Sequence, residues 1–142
     1  MWVITHVLAG LGIAAALGEP WWLVAVVVLL SHVLMDLVPH WDYTDSGHLT
    51  VYAWCDFVAS LAAVCLAWAA LGHPWWVAFM GVLSGAPDAD VLIWLARGRE
   101  GRKLFPSHWE RFPHGRSGPA WGISVQVAIM ALSAAVLLSL AP

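Results

Sequence analysis

The run Ser31-His32-Val33-Leu34-Met35-Asp36-Leu37-Val38-Pro39-His40 sets a carboxylate between two imidazoles in an otherwise apolar stretch. His32, Asp36 and His40 stand at i, i+4 and i+8, so a helix brings them roughly onto one face. Neutral imidazole and carboxylate are first-choice ligands for Zn²⁺ or a similar divalent cation, and adjacent turns can give two of them to one ion. Pro39 ends regular helix and leaves His40 free to turn inward. Ionisable groups inside lipid are expensive and mark metal sites, proton relays or catalytic centres. The bland reading is a buried Asp–His pair that staples helices.

A second constellation is Gly85-Ala86-Pro87-Asp88-Ala89-Asp90. On a regular helix Asp88 and Asp90 point about 200° apart, but Gly85 and Pro87 can break that regularity and let both carboxylates converge. Gly81 and Gly85 form a Gly-x-x-x-Gly pair that permits close helix approach. His6 and Asp56 are single ionisable groups in apolar helices, read as a ligand and as a ligand or acid/base group. The loop from Pro106 to Gly118 mixes imidazole, guanidinium and hydroxyl. There His114 is a candidate ligand or general acid, and Arg111 and Arg116 suit an anionic head group. His48 and His73 read as surface residues, and Asp42 and Asp45 as solvated turn residues. No nucleophile elbow and no phosphate-cradling glycine loop is present.

These groups need elements to carry them. Of 142 residues, 61% are hydrophobic and 11% charged, against about 25% charged in a soluble domain. Mean hydropathy is +0.78. This composition predicts an all-α integral membrane bundle forming one domain over 1–142. The net charge of −3 and the absence of a basic patch exclude nucleic acid as a partner. Five transmembrane helices are expected at about 2–17, 21–39, 49–71, 75–95 and 119–141, with a loop at 96–118. The first is short for a hydrocarbon core of about 30 Å. Leu17-Gly18-Glu19-Pro20-Trp21-Trp22 and Leu71-Gly72-His73-Pro74-Trp75-Trp76 match, which predicts two helical hairpins in weak repeat plus a fifth helix. Tryptophans at 2, 21, 22, 41, 75, 76 and 121 suit an aromatic belt. Cys55 and Cys65 are expected to pack, and no cleaved signal peptide is expected.

All six Lys and Arg residues lie in the 96–118 loop. The positive-inside rule puts that loop and the N-terminus in the cytoplasm and the C-terminus outside, in a plasma (inner) membrane. At 1.5 Å per residue, Asp36 lies about 22 Å beyond Trp21 and Asp88 about 20 Å beyond Trp75. Four helices thus bring polar groups to one level in the cytoplasmic half, while the outer half has only Glu19 and His73 in its turns.

Leu30-Ser31-His32-x-x-x-Asp36, Ala86-Pro87-Asp88-x-Asp90, the early His6 and His114-Gly115-Arg116-Ser117 resemble the LexA-regulated inner-membrane metal-dependent hydrolases. That family combines Ser-His-x-x-x-Asp, Pro-Asp-x-Asp-His and His-Arg-Gly-x-Thr-His segments; Val91 stands here where it has the histidine after Pro-Asp-x-Asp. The resemblance implies a divalent-metal hydrolase in a helical membrane bundle. More distantly, Trp2, His6, His32-x-x-x-Asp36 and Pro39-His40 are similar to zinc-ligand segments of the zinc-dependent phospholipase C and P1 nuclease group, which implies phosphoester hydrolysis at a multi-zinc site.

Together these features predict a metal-dependent hydrolase with one or more zinc ions. The metal ligands are expected among His6, His32, Asp36, His40, Asp88 and Asp90, and the catalytic groups among Asp56, His114, Arg116 and Arg111. The expected substrate is a phosphoester or ester of a lipid or other amphiphile at the cytoplasmic leaflet. Two other readings fit the same residues. A metal-ion or proton transporter needs polar groups through the full thickness. A structural or partner-binding membrane protein needs no metal.

Overall fold

Proline sets the start of three helices. Pro20 and Pro74 precede the first residues of α2 (Trp21–Leu37) and α4 (Trp75–Gly85), and Pro119 opens α6 (Pro119–Ser139). Its fixed φ and missing N–H suit the first turn, where no intrahelical donor is needed. The computed structural model describes residues 1–142 except the side chain of Asp45, so the reading of Asp45 as a solvated turn residue lies outside the described residues. Before α2 comes α1 (Val3–Leu17); α3 (Leu49–Cys65) runs on through a π turn to Ala70, and α5 (Ala89–Ala96) follows α4. The described residues form no strand.

The expected fourth helix is broken. Ala86–Asp88 form a 3-10 turn between α4 and α5, because Pro87 can neither donate to the α-helical ladder nor sit in it without a clash. Likewise α2 stops at Leu37 and Val38 is extended, as a residue before proline prefers.

Helix α1 is the axis of the molecule. It packs against α2, α3, α4 and α6, and Thr5, His6, Val7, Ala9, Gly10, Leu11, Gly12 and Ala14 are buried. Its interface with α4 is close: a Cβ on Gly81 would lie 2.7 Å from Leu11, and one on Gly10 2.5 Å from Ser84. Small residues there let the two backbones approach. Beyond the polar level, Leu11, Ala14, Val24, Val28, Val77 and Met80 close the interior with apolar side chains.

The outside is apolar too. Leu30 and Leu34 on α2, Trp54, Phe57 and Leu61 on α3, and Trp121, Val127 and Leu132 on α6 are exposed. Three helical stretches are long and apolar enough to cross a membrane: Leu49–Ala70, Trp75–Ala96 and Pro119–Ser139. α1 and α2 are apolar but shorter, at 15 and 17 residues. Cys55 and Cys65 are free and exposed rather than packed, since the inward stripe of α3 runs instead through Asp56 and Ser60. His73 is a further correction. It is buried, with Nε2 2.9 Å from the Leu137 carbonyl, so it ties the turn after α3 to the end of α6. His48 is exposed, as expected.

Candidate metal centre

Two helices, a 3-10 turn and one loop bring their ionisable side chains together. His6 comes from α1, His32 and Asp36 from α2, Asp88 from the 3-10 turn and His108 from the loop between α5 and α6. All five are buried. Asp36 lies at the centre. Its Oδ1 is 3.5 Å from His6 Nε2, and its Oδ2 is 3.4 Å from His32 Nε2 and 3.6 Å from His108 Nε2. Asp88 stands across the cluster, with Oδ1 3.3 Å from His108 Nε2 and Oδ2 3.9 Å from His6 Nε2. The rings of His6 and His32 stack with centroids 3.8 Å apart. The Met1 nitrogen lies 3.6 Å from Asp36 Oδ1.

The ring tautomers follow from the outer contacts. His32 Nδ1 is 2.7 Å from the Ser84 carbonyl. A carbonyl only accepts, so Nδ1 carries the hydrogen and the Nε2 lone pair faces Asp36. His108 Nδ1 donates to Asp90 Oδ1 at 2.6 Å, again turning Nε2 inward. A metal-ligating histidine has this arrangement: its second nitrogen is fixed by a carbonyl or carboxylate.

Inside the cluster the polar atoms lack partners. Among the described residues His6 Nδ1 and Nε2, His32 Nε2, Asp36 Oδ1 and Asp88 Oδ2 are buried without a hydrogen bond. Buried polar atoms without partners are rare, and each costs about 1–3 kcal/mol. A cation satisfies several at once. The closer separations also fit: ligands bound at 2.0–2.1 Å around a tetrahedral ion lie roughly 3.3–3.4 Å apart. Two triads, His6–His32–Asp36 and His32–Asp88–His108, each hold their ligand atoms within 4.8 Å of one another. The donor set is nitrogen and oxygen, which suits zinc and similar divalent ions.

The loop is docked onto the end of α2 by backbone hydrogen bonds. Gly115 N donates to Asp36 O, His40 N to Gly115 O and Ser117 N to His40 O, each at 2.8 Å. A Cβ on Gly115 would lie 2.5 Å from the Leu37 carbonyl and clash with that of Val38, so glycine permits this approach. The docking brings His114 Nε2 to 3.0 Å from His40 Nε2, and Asp36, His40 and His114 form a third triad of the same kind. Burial holds the His40 imidazole far below its ordinary value, at about 4, and lowers His114 as well. Burial also draws His108 down, but the carboxylates of Asp88 and Asp90 at its two nitrogens more than offset it and raise its proton affinity.

Several expected roles change. Asp90 is not in the cluster: it accepts from His108 Nδ1 and from the Phe105 amide at 2.5 Å, so it positions His108. The helix break does make Asp88 and Asp90 converge, but on the two sides of one imidazole. Asp56 is not an acid/base group of the centre either. Its carboxylate accepts from the Val3 and Ile4 amides at 2.8 and 2.7 Å and from the Tyr43 hydroxyl at 2.8 Å. It caps the N-terminus of α1, whose first amides have no intrahelical acceptor. Arg111 is exposed and does not line the cavity beside the cluster. Asp42 accepts from the Thr44 amide and faces Arg116 at 3.7 Å.

A cavity of about 430 Å³ adjoins the cluster. Its lining joins Asp88, His108 and His114 to apolar side chains of α5 (Val91, Leu92, Leu95) and to Lys103 and Arg116. Sequence reasoning missed His108 and Ser107, whose Oγ donates to Asp36 Oδ2 at 2.7 Å. The signal was their place in the loop that carries all the Lys and Arg residues, on the same side as the proline-broken segment of Asp88. No family model, no curated protein and no solved structure matches this chain.

Proposed function

We propose that this protein is a membrane-embedded, divalent-metal-dependent hydrolase acting on a phosphoester or ester of an anionic amphiphile. The observation that carries the reading is the convergence of buried, hydrogen-bond-deficient nitrogen and oxygen atoms beside a cavity whose walls are apolar on the α5 side and carry both cations (Lys103, Arg116) and acids (Asp42, Glu110) elsewhere. A polar cluster that only stapled helices would satisfy its own atoms. A conduit would continue across the bundle, whereas Leu11, Val24, Val28 and Met80 close this one.

In this reading His6, His32, Asp36, Asp88 and His108 hold the cation, with zinc favoured by the donor set. When bound, it would polarise a phosphoryl or carbonyl oxygen and acidify a water. Asp88 is the cluster carboxylate that lines the cavity; holding the cation through one oxygen leaves the other to take a proton from an entering water. Asp90 and Ser84 keep His108 and His32 in the ligating tautomer. Arg116 and Lys103 face an anionic head group, and Leu92 and Leu95 receive the start of its tail. The exposed apolar side chains of α5, such as Leu92 and Ile93, give a tail a route from lipid.

The same reading places all five helical stretches in an inner membrane, as two hairpins and a fifth helix, with the 96–118 loop cytoplasmic. Short α1 is accommodated because its neighbours, not lipid, surround it. The resemblance to LexA-regulated inner-membrane hydrolases supports this assignment. The test is elemental analysis of detergent-purified protein alongside His32→Ala and Asp36→Ala, with hydrolysis of a phosphodiester reporter and of anionic phospholipid. Stoichiometric zinc that both variants lose, together with chelator-sensitive hydrolysis, is the expected result. A folded wild type that takes up no divalent transition metal removes the proposal.

A further inference from the structure

The contacts of His40 and His114 contain a shortage of hydrogens. His40 Nδ1 meets the Val38 carbonyl at 2.8 Å, the two Nε2 atoms meet at 3.0 Å, and His114 Nδ1 meets the Ser107 carbonyl at 3.3 Å. Each contact sets two lone-pair-bearing atoms face to face, so each calls for one hydrogen between them. Two neutral imidazoles carry one N–H each. Three contacts therefore share two hydrogens. The deficit is met by a third proton, which makes one ring an imidazolium, or by another cation. Burial disfavours the imidazolium, and His40 is fully enclosed. With both Nδ1 atoms donating to carbonyls, the two Nε2 lone pairs converge as paired metal ligands do.

The third partner is already in place. Asp36 has a ligand oxygen within 4.8 Å of a ring nitrogen of both imidazoles. The backbone beneath all three is rigid, because Gly115 is hydrogen-bonded both to Asp36 and to His40. Such support is what a precise ligand set needs.

We propose that His40 and His114 form a second cation position, separate from the His6–His32–Asp88–His108 position and sharing Asp36 with it. The inference rests on the reading of the first set as a metal centre. A carboxylate offers an oxygen to each of two ions, so Asp36 at the centre, Asp88 and five histidines make a binuclear centre. His114 also lines the cavity, which puts the second ion beside the substrate.

The experiment uses the full chain in detergent, stripped with chelator, reloaded with Zn²⁺ alone, desalted and assayed for metal per protein. Wild type is expected to retain two equivalents, and His40→Ala and His114→Ala one each. His48→Ala, which alters an exposed imidazole nearby, should retain two. One equivalent in wild type overturns the inference and leaves the first centre standing. Two equivalents in folded His114→Ala overturn it as well. No metal in wild type sinks both readings. A single equivalent in wild type refutes the second position even where neither variant folds.

Discussion

Replacing Asp90 by asparagine tests whether an orienting residue can be told from a ligand. Asp90 accepts two short hydrogen bonds, 2.6 Å from His108 Nδ1 and 2.5 Å from the Phe105 amide. Asparagine keeps the shape but has one acceptor oxygen and one NH₂ group. The Phe105 amide is fixed backbone and always donates, so the remaining oxygen goes to it. The NH₂ then faces His108 Nδ1, and the ring answers by moving its hydrogen to Nε2, the atom that faces Asp36 and Asp88. His108 becomes the wrong tautomer for ligation, although its position is unchanged. Loss of such an outer partner weakens metal affinity about 10–100-fold, or about 1.4–2.7 kcal/mol. Competition with a fluorescent zinc chelator, read on wild type and Asp90→Asn in the same detergent, gives the ratio. The stoichiometry should not change. Affinity within twofold of wild type would refute the orienting role, and loss of a whole equivalent would return Asp90 to the ligand set.

Tyr43→Phe removes a donor to the buried Asp56 carboxylate and should destabilise the protein by about 1–3 kcal/mol; unfolding curves in detergent should shift while metal content stays constant, and lost metal with unchanged stability would contradict the capping role. Gly115→Ala places a methyl 2.5 Å from the Leu37 carbonyl, so the loop must lift from α2; metal content should drop and limited proteolysis within 97–118 should accelerate, and wild-type behaviour in both would show the docking to be soft. Arg116→Ala should raise KM for an anionic amphiphile several-fold with kcat and metal content little changed, since Arg116 lies on the cavity lining and outside the cluster. An equal fall in kcat would assign it a different role.

The helices were legible because apolar runs interrupted by Gly-x-Pro turns are a local property, and the cluster was legible where its members share a helix. His32 and Asp36 reveal each other through i, i+4 spacing, and Asp88 through the proline beside it. The rest is long-range. Asp56 was recognisable as an ionisable group that needs a partner, but that partner is the N-terminus of α1, and spacing along α3 does not say which element lies opposite. His108 and Asp90 pair across a loop without periodicity, so nothing in the pattern ranks His108 above His114. His73 looked superficial because it stands in a turn, and its acceptor belongs to the last helix, 64 residues away.

The order in which these segments leave the ribosome is awkward for α1. The segment that packs against four others is translated before any of them, and its first turn carries an imidazole that apolar surroundings do not welcome. Until α2 and the later segments arrive, that imidazole lacks the His32 ring and the Asp36 and Asp88 carboxylates that surround it in the fold. The polar contacts of α1 are therefore collective: they exist only once segments from far along the chain have packed around it.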